Sequence, residues 1–301
     1  MLLSKLENYN LPDSELIECD VFIFCDYPEP RSSYVAGNWS IDAGKKYIAG
    51  SIYDRVTDGG DEGVAYFPDL TELLASFSVE LSSGMGGFKV VADISCMDQS
   101  SMAELISVVA GAASVRDVEL IVLYSIATFS PPQEDSYANA SIEPVHPMFA
   151  GWSTPDSRPT SLILGLGYEP HKAEGASEFF EPNEQWVFLP RSPIPDFLPV
   201  VRNNNKALIQ KAVGSCLIEY EVDDPQTTYG QLEMVISILL KASNPVLLPF
   251  GPKIFFFLCL IQCLRHPEIG VWKVSKAAVD SKLDVQASGI VVGLRCVFSA
   301  G

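Results

Sequence analysis

Three cationic side chains follow short apolar runs of the sequence. Arg31 comes after VFIFC, Arg191 comes after QWVFL, and Lys253 comes after PVLL. An arginine or a lysine at such a place can bind phosphate or carboxylate through charge-assisted hydrogen bonds. Because the three agree in a chain with a formal net charge of −18, they predict a local pocket for a small anion.

The segment around Lys253, PFGPK, is the most specific example of this pattern. Gly251 would let the backbone come close to a ligand. A helix that starts at Pro252 would present unpaired amides and the positive end of its dipole at the same spot. The segment does not contain the GxxxxGK[ST] pattern of a P-loop. The alternative is a tight turn between a strand and a helix, in which the lysine is simply solvated.

Carboxylates accompany the first of these cations in the segment DYPEPRS. Asp26 and Glu29 can form an acid–base pair with Arg31 orienting an anionic group, or they can form a salt-bridged loop. Asp93 directly follows the run FKVVA and can bind a ligand hydroxyl, because Asp98, Ser100 or Ser101 can cap the following helix instead. Asp26, Glu29 and Asp93 are therefore the candidate catalytic groups.

Further polar residues and glycines follow other apolar runs. The loop LGLGYEP begins like a dinucleotide-binding loop but lacks its third glycine, so no dinucleotide cofactor is predicted. The seven cysteines form no CxxC pair, and no metal site is predicted. Together with Arg31, Arg191 and Lys253, the candidate ligand-binding residues are Ser32, Ser95, Tyr124, Gly165, Gly167, Glu169 and Gly251.

To form one site, these residues need a fold that brings the ends of several strands close together. Most apolar runs do not alternate with polar residues, which is typical of strands buried on both faces of a parallel sheet. Helical patterns lie between them, at 69–81, at 100–114, at 203–213 with an asparagine cap, at 227–242 and at 252–266. This order predicts an α/β fold with one doubly wound, mostly parallel, Rossmann-like sheet of about six to eight strands.

The carboxyl ends of parallel strands lie on one edge of a sheet, so the candidates are expected to share one cleft. The residues expected to face it are Asp26, Arg31, Asp93, Glu169 and Lys253.

The chain is expected to form a single large domain over residues 1–301. Residues 36–87 interrupt the rhythm of strands and helices with repeated glycines, which predicts an irregular or antiparallel insertion. Residues 130–160 hold six prolines and predict a long surface connection.

Composition narrows the range of partners. With 48% hydrophobic and 19% charged residues, the chain can bury a large core. A net charge of −18 without a basic cluster argues against broad binding to duplex nucleic acid. The acidic N-terminus does not resemble a signal peptide, and the longest apolar run, 254–264, is about half as long as a membrane span. We therefore expect a cytoplasmic protein with no membrane partner, while a protein partner or a second copy of the chain stays open.

The segment LLPFGPKIFFFLCLIQCLRHPEIGVWKVS resembles the strand, glycine–lysine loop, helix and strand of CARF-type Rossmann-like domains. Those are ligand-sensing domains of prokaryotic defence systems. The resemblance covers residues 247–275 and implies a nucleotide-sensing role at Gly251 and Lys253, in an antiviral defence or stress system. Phe250 and Pro252 stand where a paired glycine or threonine is more usual, which leaves the identity of the ligand open.

Three functions stay open. The first is a binding or regulatory protein that senses a nucleotide-like anion. The second is an enzyme, a hydrolase or transferase, that acts on a nucleoside or phosphorylated substrate with Asp26, Glu29 or Asp93 as the acid or base. The third is a structural interaction subunit whose polar loops bind no ligand.

Overall fold

The protein is described by a computed structural model for residues 2–11, 16–27, 29–50, 63–82, 86–131, 139–151, 157–170, 172–212, 214, 216–276 and 285–300. The chain forms two compact units, Met1–Thr128 with Lys282–Gly301, and Phe129–Ser281, where a single domain was expected. Each unit is built on its own sheet. The α/β class with mostly parallel strands is confirmed, but the expectation of one sheet was wrong, because the strands divide between two sheets.

In its described residues, the first unit has a seven-stranded sheet and three helices. Its helices are α1 (Tyr34–Asn38), α2 (Leu70–Ser82) and α3 (Gln99–Ala112). Its strands are β1 (Leu2–Asn8), β2 (Ile17–Asp26), β3 (Ile41–Gly50), β4 (Val64–Phe67), β5 (Phe88–Asp93), β6 (Val118–Ala127) and β13 (Ala287–Ser299). The order across the sheet is β1-β13-β6-β5-β2-β3-β4. Strands β2 to β6 are parallel, and β13 and β1 add an antiparallel pair beyond β6.

The described part of the second unit has a six-stranded sheet and five helices. Its strands are β7 (Asn139–Pro144), β8 (Thr160–Gly165), β9 (Glu184–Arg191), β10 (Leu217–Glu221), β11 (Asn244–Pro249) and β12 (Gly270–Lys276). Its helices are α4 (Lys172–Phe180), α5 (Phe197–Asn204), α6 (Lys206–Lys211), α7 (Pro225–Leu239) and α8 (Lys253–Arg265). The order across the sheet is β10-β9-β8-β11-β12-β7, in which only β7 is antiparallel.

Both units follow one topology. In each, the first parallel strand (β2 or β8) lies in the middle, the next two strands extend the sheet to one side, and the fourth and fifth extend it to the other. An antiparallel strand then follows the fifth. The strand order therefore reverses between β2 and β5 in the first unit and between β8 and β11 in the second. Such a switch point opens a crevice beyond the carboxyl ends of the strands, where ligands of this class of fold bind.

Burial explains why the apolar runs became central strands and helices. In β5, Val90, Val91 and Ala92 are fully buried, as expected for a strand covered on both faces. Helix α8 is buried on every side from Ile254 to Cys263, which accounts for an apolar run without a polar face. Among the described residues, no helix has the length and apolar character needed to cross a bilayer.

The described part of 36–87 corrects the expectation of an irregular or antiparallel insertion. Strand β3 is parallel to β2, β4 is parallel to β3, and α2 confirms the helix expected at 69–81. The first half of β3 alternates buried, exposed and partly buried residues because it lies near the edge of the sheet. Its sequence therefore lacks the apolar run that marks a central strand.

The described part of 130–160 is likewise more regular than expected. It contains β7, an edge strand that pairs antiparallel with β12, and a short 3₁₀ turn at Pro147–Phe149. Ser141 and Glu143 of β7 are exposed, so the strand is polar enough to be interpreted as a loop. Edge strands commonly carry such polar residues.

Candidate functional site

The candidate residues divide between two switch points. Since they follow strands of two sheets, the reason for expecting one shared cleft does not hold. The first unit carries Asp26, Glu29, Arg31, Ser32, Asp93, Ser95 and Tyr124. The second unit carries Gly165, Gly167, Glu169, Arg191, Gly251 and Lys253.

In the second unit, the loops that follow β8 and β11 are in direct contact. The Phe250 amide donates a hydrogen bond to the Gly165 carbonyl at 2.7 Å. A Cβ atom at Gly167 would lie 2.2 Å from the Phe250 carbonyl oxygen, and one at Gly251 would lie 2.7 Å from the Leu166 carbonyl oxygen. The glycines are therefore required for the two loops to pack on each other, a different reason from the close approach of a ligand that the sequence suggested.

Two asparagines at the junction of α5 and α6 hold the loop after β8. The Asn204 Nδ2 donates to the Tyr168 carbonyl at 2.7 Å, and the Asn205 Nδ2 donates to the Gly167 carbonyl at 2.8 Å. Asn205 is buried and makes no side-chain cap to α6. The asparagine cap expected for the helix at 203–213 is thus replaced by a support for the switch-point loop.

Two lysines begin the helices that leave these loops. Lys253 is the first residue of α8, and Lys172 is the first residue of α4. The Lys172 Nζ lies 2.7 Å from Glu169 Oε2 and 5.8 Å from the centre of the Phe250 ring. Lys172, Glu169, Phe250 and Lys253 are called the lysine switch point below.

The start of α8 retains unused donor capacity within the described residues. Pro252 occupies the N-cap position, and no side chain caps the helix. The amides of Phe255 and Phe256 donate to the Pro252 carbonyl at 2.9 and 3.3 Å, whereas the amide of Ile254 has no acceptor among the described residues. A helix start of this kind favours an anion.

Lys172 was not among the residues predicted from the sequence. Its signal was present, because KAEGASEFF is a helical segment that begins with a lysine directly after a glycine-containing loop, as does KIFFFL. The incomplete dinucleotide pattern drew attention to the glycines instead of the lysine that follows them.

Arg191 lies at the end of β9 and belongs to a surface network of ion pairs. Its Nη1 is 3.2 Å from Glu219 Oε2, and its Nε is 3.3 Å from Glu221 Oε1, both on the neighbouring edge strand β10. About half of its side chain, 51%, is exposed. Beside this network lies a shallow cavity of about 360 Å³, lined by Leu189, Arg202, Lys206, Ile209, Gln210, Leu217 and Glu219. The predicted ligand role of Arg191 stays a prediction.

In the first unit, polar side chains collect on one face of the sheet at its switch point. Side chains two residues apart on a strand share a face, and the register of β2, β5 and β6 places Asp26, Asp93 and Ser125 on the same face. The Asp93 Oδ1 accepts from the Ser95 amide at 2.9 Å and from the Ser95 hydroxyl at 2.5 Å. The Ser95 Oγ in turn accepts from the Ser125 amide at 2.8 Å.

Arg31 completes this arrangement from the loop after β2. Its Nε and Nη2 both contact Glu29 Oε1 at 2.9 Å, which is the salt-bridged loop that the sequence allowed, and its Nη1 donates to the Ser125 carbonyl at 3.4 Å. Burial disfavours the charge of Arg31, but neighbouring Tyr124, Glu29 and Cys96 favour it, so that its pKa lies above the ordinary value. Glu29, Arg31, Asp93, Ser95 and Ser125 are called the Arg31 cluster below.

The two other predicted residues of this unit serve the loop and the sheet. The Ser32 hydroxyl donates to the Tyr27 carbonyl at 2.8 Å, which closes the loop after β2. Tyr124 is nearly buried in β6. Asp98 caps α3 by accepting from the Ser101 amide at 2.9 Å, as predicted.

No protein-family model matches the chain, and no curated protein matches it. The geometry of the two switch points is therefore the basis on which a function can be assigned.

Proposed function

We propose that this protein binds a small, nucleotide-like anion at the lysine switch point and acts as a ligand-sensing protein. The observation that carries the proposal is the pair Lys172 and Lys253. Each is the first residue of a helix that follows one of the two central strands, β8 and β11, between which the strand order reverses. Open parallel sheets bind ligands at this place.

The local charge favours an anion. Two lysines and Glu169 leave one formal positive charge, and each helix start contributes roughly half a charge more. The chain as a whole carries −18, so a cationic site of this kind would be a selective place for a small anion. The Ile254 amide adds a directed donor at the same helix start.

Aromatic side chains beside the lysines favour a nucleotide over a bare phosphate. Phe250 and Tyr168 are only partly buried. Tyr168 lies on the loop after β8, and Phe250 lies on the loop after β11. Bases stack on such rings without a strict preference for sequence. A phosphate bound near Lys253 would therefore be accompanied by a surface suited to a base.

The role of sensor follows from the resemblance of residues 247–275 to CARF-type domains, together with the Rossmann-like topology of the unit. Fold-level likeness alone does not assign a function. The proposed setting is the cytoplasm, in a defence or stress system, and the response to the ligand would pass to a protein partner or to a second copy of the chain.

The test is a calorimetric titration with the four common nucleoside monophosphates and with inorganic phosphate. In Lys253→Met and in Lys172→Met, the affinity for the best-bound nucleotide should fall by about 1.5–3 kcal/mol, the usual size of a charge-assisted hydrogen bond. Lys206→Met is the matched control, because Lys206 also begins a helix but lies outside the switch point. The nucleotide affinity of the Lys206→Met variant should equal that of the unmodified protein.

Unchanged nucleotide affinity in Lys253→Met would contradict the proposal and leave this lysine as an ordinary first residue of α8. A loss of thermal stability without any change in affinity would point to a structural ion pair instead. If no nucleotide binds the unmodified protein, the interaction subunit becomes the better interpretation.

An enzyme is the second candidate, on the strength of one observation in the first unit. Asp26 and Asp93 end neighbouring parallel strands and lie on the same face of the sheet. Two carboxylates so placed can act as acid and base on a nucleoside or phosphorylated substrate. Product formation that is abolished in Asp26→Asn or Glu29→Gln would favour the enzyme over the sensor.

A further inference from the structure

The hydroxyl of Ser125 is an unexplained group in the Arg31 cluster. Ser125 is fully buried, and its Oγ has no hydrogen-bond partner among the described residues. Its backbone, in contrast, is fully engaged, because the amide donates to Ser95 Oγ and the carbonyl accepts from Arg31 Nη1. Buried hydroxyls are almost always hydrogen-bonded, so this one indicates a group that the chain itself does not supply.

Arg31 has unused donors beside it. A guanidinium has five N–H groups, and the contacts to Glu29 Oε1 and to the Ser125 carbonyl account for three of them. The side chain is only 8% exposed, so bulk water does not readily satisfy the other two. The two unused N–H groups of Arg31 and the Ser125 hydroxyl therefore lie near the same atom, the backbone carbonyl oxygen of Ser125.

The charge around these groups excludes a phosphate. Within the cluster, Glu29 and Asp93 outweigh Arg31 by one formal negative charge. Like charges at short range in a buried site repel strongly. The lysine switch point has the opposite sign, so the two switch points cannot favour the same ligand group.

We infer that the Arg31 cluster is a second ligand site, which takes an uncharged compound that carries carbonyl and hydroxyl oxygens, such as a nucleoside without phosphate. A carbonyl oxygen of the ligand accepts from Arg31, and a ligand hydroxyl pairs with the Ser125 hydroxyl. Glu29 is the more exposed partner of the ion pair, at 23%, so the ligand enters from its side. This site is independent of the anion site and does not depend on the proposed function.

The experiment uses uridine, which has both kinds of oxygen and no charge. Titrations are carried out in a Lys172→Met, Lys253→Met double variant, so that neither lysine of the lysine switch point contributes a charge. Uridine should bind, and its 5′-monophosphate should bind at least about tenfold more weakly. A titration with free ribose should show whether the base carbonyl is needed for binding. Adding Ser125→Ala should lower the affinity for uridine about tenfold.

Melting curves separate a ligand role from a structural one. Ser125→Ala removes a buried hydroxyl that has no partner and should keep or raise the melting temperature, by up to about 2–4 °C. Ser161→Ala is the matched control, because Ser161 is also a fully buried strand serine but its hydroxyl lies 2.8 Å from Ser243 Oγ. That variant should melt at a lower temperature.

Three results would overturn the inference. The first is a fall in melting temperature for Ser125→Ala as large as that for Ser161→Ala, which would mean that the chain itself satisfies the hydroxyl. The second is equal affinity for uridine with and without the Ser125 hydroxyl. The third is the absence of uridine binding at millimolar concentration in a protein that is folded by its melting curve.

Discussion

The two units share one strand order but carry opposite chemistry at the point where that order reverses. In the second unit, glycines bring two loops into contact and lysines begin both departing helices. In the first unit, carboxylates and a buried arginine occupy the corresponding place, and Asp98 caps the helix start. The shared topology decides where each switch point lies, and a few loop residues decide the charge of the side chains found there.

The largest effect on stability is expected from adding a side chain where the two loops of the second unit pack on each other. In Gly167→Ala, the new Cβ would meet the Phe250 carbonyl at 2.2 Å, and backbone atoms cannot move aside as a flexible side chain can. We expect a loss of about 3 kcal/mol in the free energy of unfolding, measured by urea denaturation. Gly230 is exposed on α7, and a Cβ added there would meet nothing within 4 Å outside the adjoining helix backbone. Gly230→Ala should therefore leave the free energy of unfolding unchanged or raise it slightly.

A smaller effect is expected from removing the support of the same loop. In Asn205→Ala, the Gly167 and Val201 carbonyls lose their shared donor in a buried setting. The free energy of unfolding should fall by about 1–3 kcal/mol, and nucleotide affinity should fall as well because the loop carries Glu169 and leads to Lys172. Equal affinity in a stable variant would show that this loop does not form part of the anion site.

The equivalent change in the first unit should affect stability alone. Asp98→Ala removes the cap of α3 and should cost about 1 kcal/mol, as such caps usually do. Nucleotide affinity at the lysine switch point should be the same as in the unmodified protein. A clear loss of that affinity would mean that the two units do not bind independently.

The smallest effect is expected at Arg191. Its partners Glu219 and Glu221 are about one third and one half exposed, and such surface pairs contribute little. Arg191→Met should change the free energy of unfolding by less than about 0.5 kcal/mol. Titration should show unchanged nucleotide affinity, and a tenfold loss would return Arg191 to the ligand site predicted from the sequence.

The central strands of both units could be predicted from the sequence, but the division into two sheets could not. The runs that became β5, β8 and β11 are apolar because neighbouring layers cover both of their faces, and this signal is local. Which strands pair is decided by contacts distant in the sequence, and the two units repeat their topology without a fixed period. Strands β3 and β7 are partly exposed and contain polar residues, so their sequences lack the apolar run that indicates a strand.

Contacts among the candidate residues could be anticipated from the sequence only in part, for similar reasons. Polar residues at strand ends are visible in the sequence, and Glu29, Arg31, Asp93 and Ser95 do come together. Ser125 directly follows a predicted residue, but its role depends on hydrogen bonds that only the fold reveals. The glycines were recognised, but their packing partners belong to a loop more than eighty residues away.

One crossed titration tests the contrast between the switch points most directly. The unmodified protein, Lys253→Met and Ser125→Ala are each titrated with uridine and with the nucleoside monophosphate that binds most tightly. Lys253→Met should lose about tenfold or more in affinity for the nucleotide and keep its affinity for uridine, and Ser125→Ala should do the reverse. If either variant loses both ligands, or neither variant loses any, the account of two sites with opposite chemistry is contradicted.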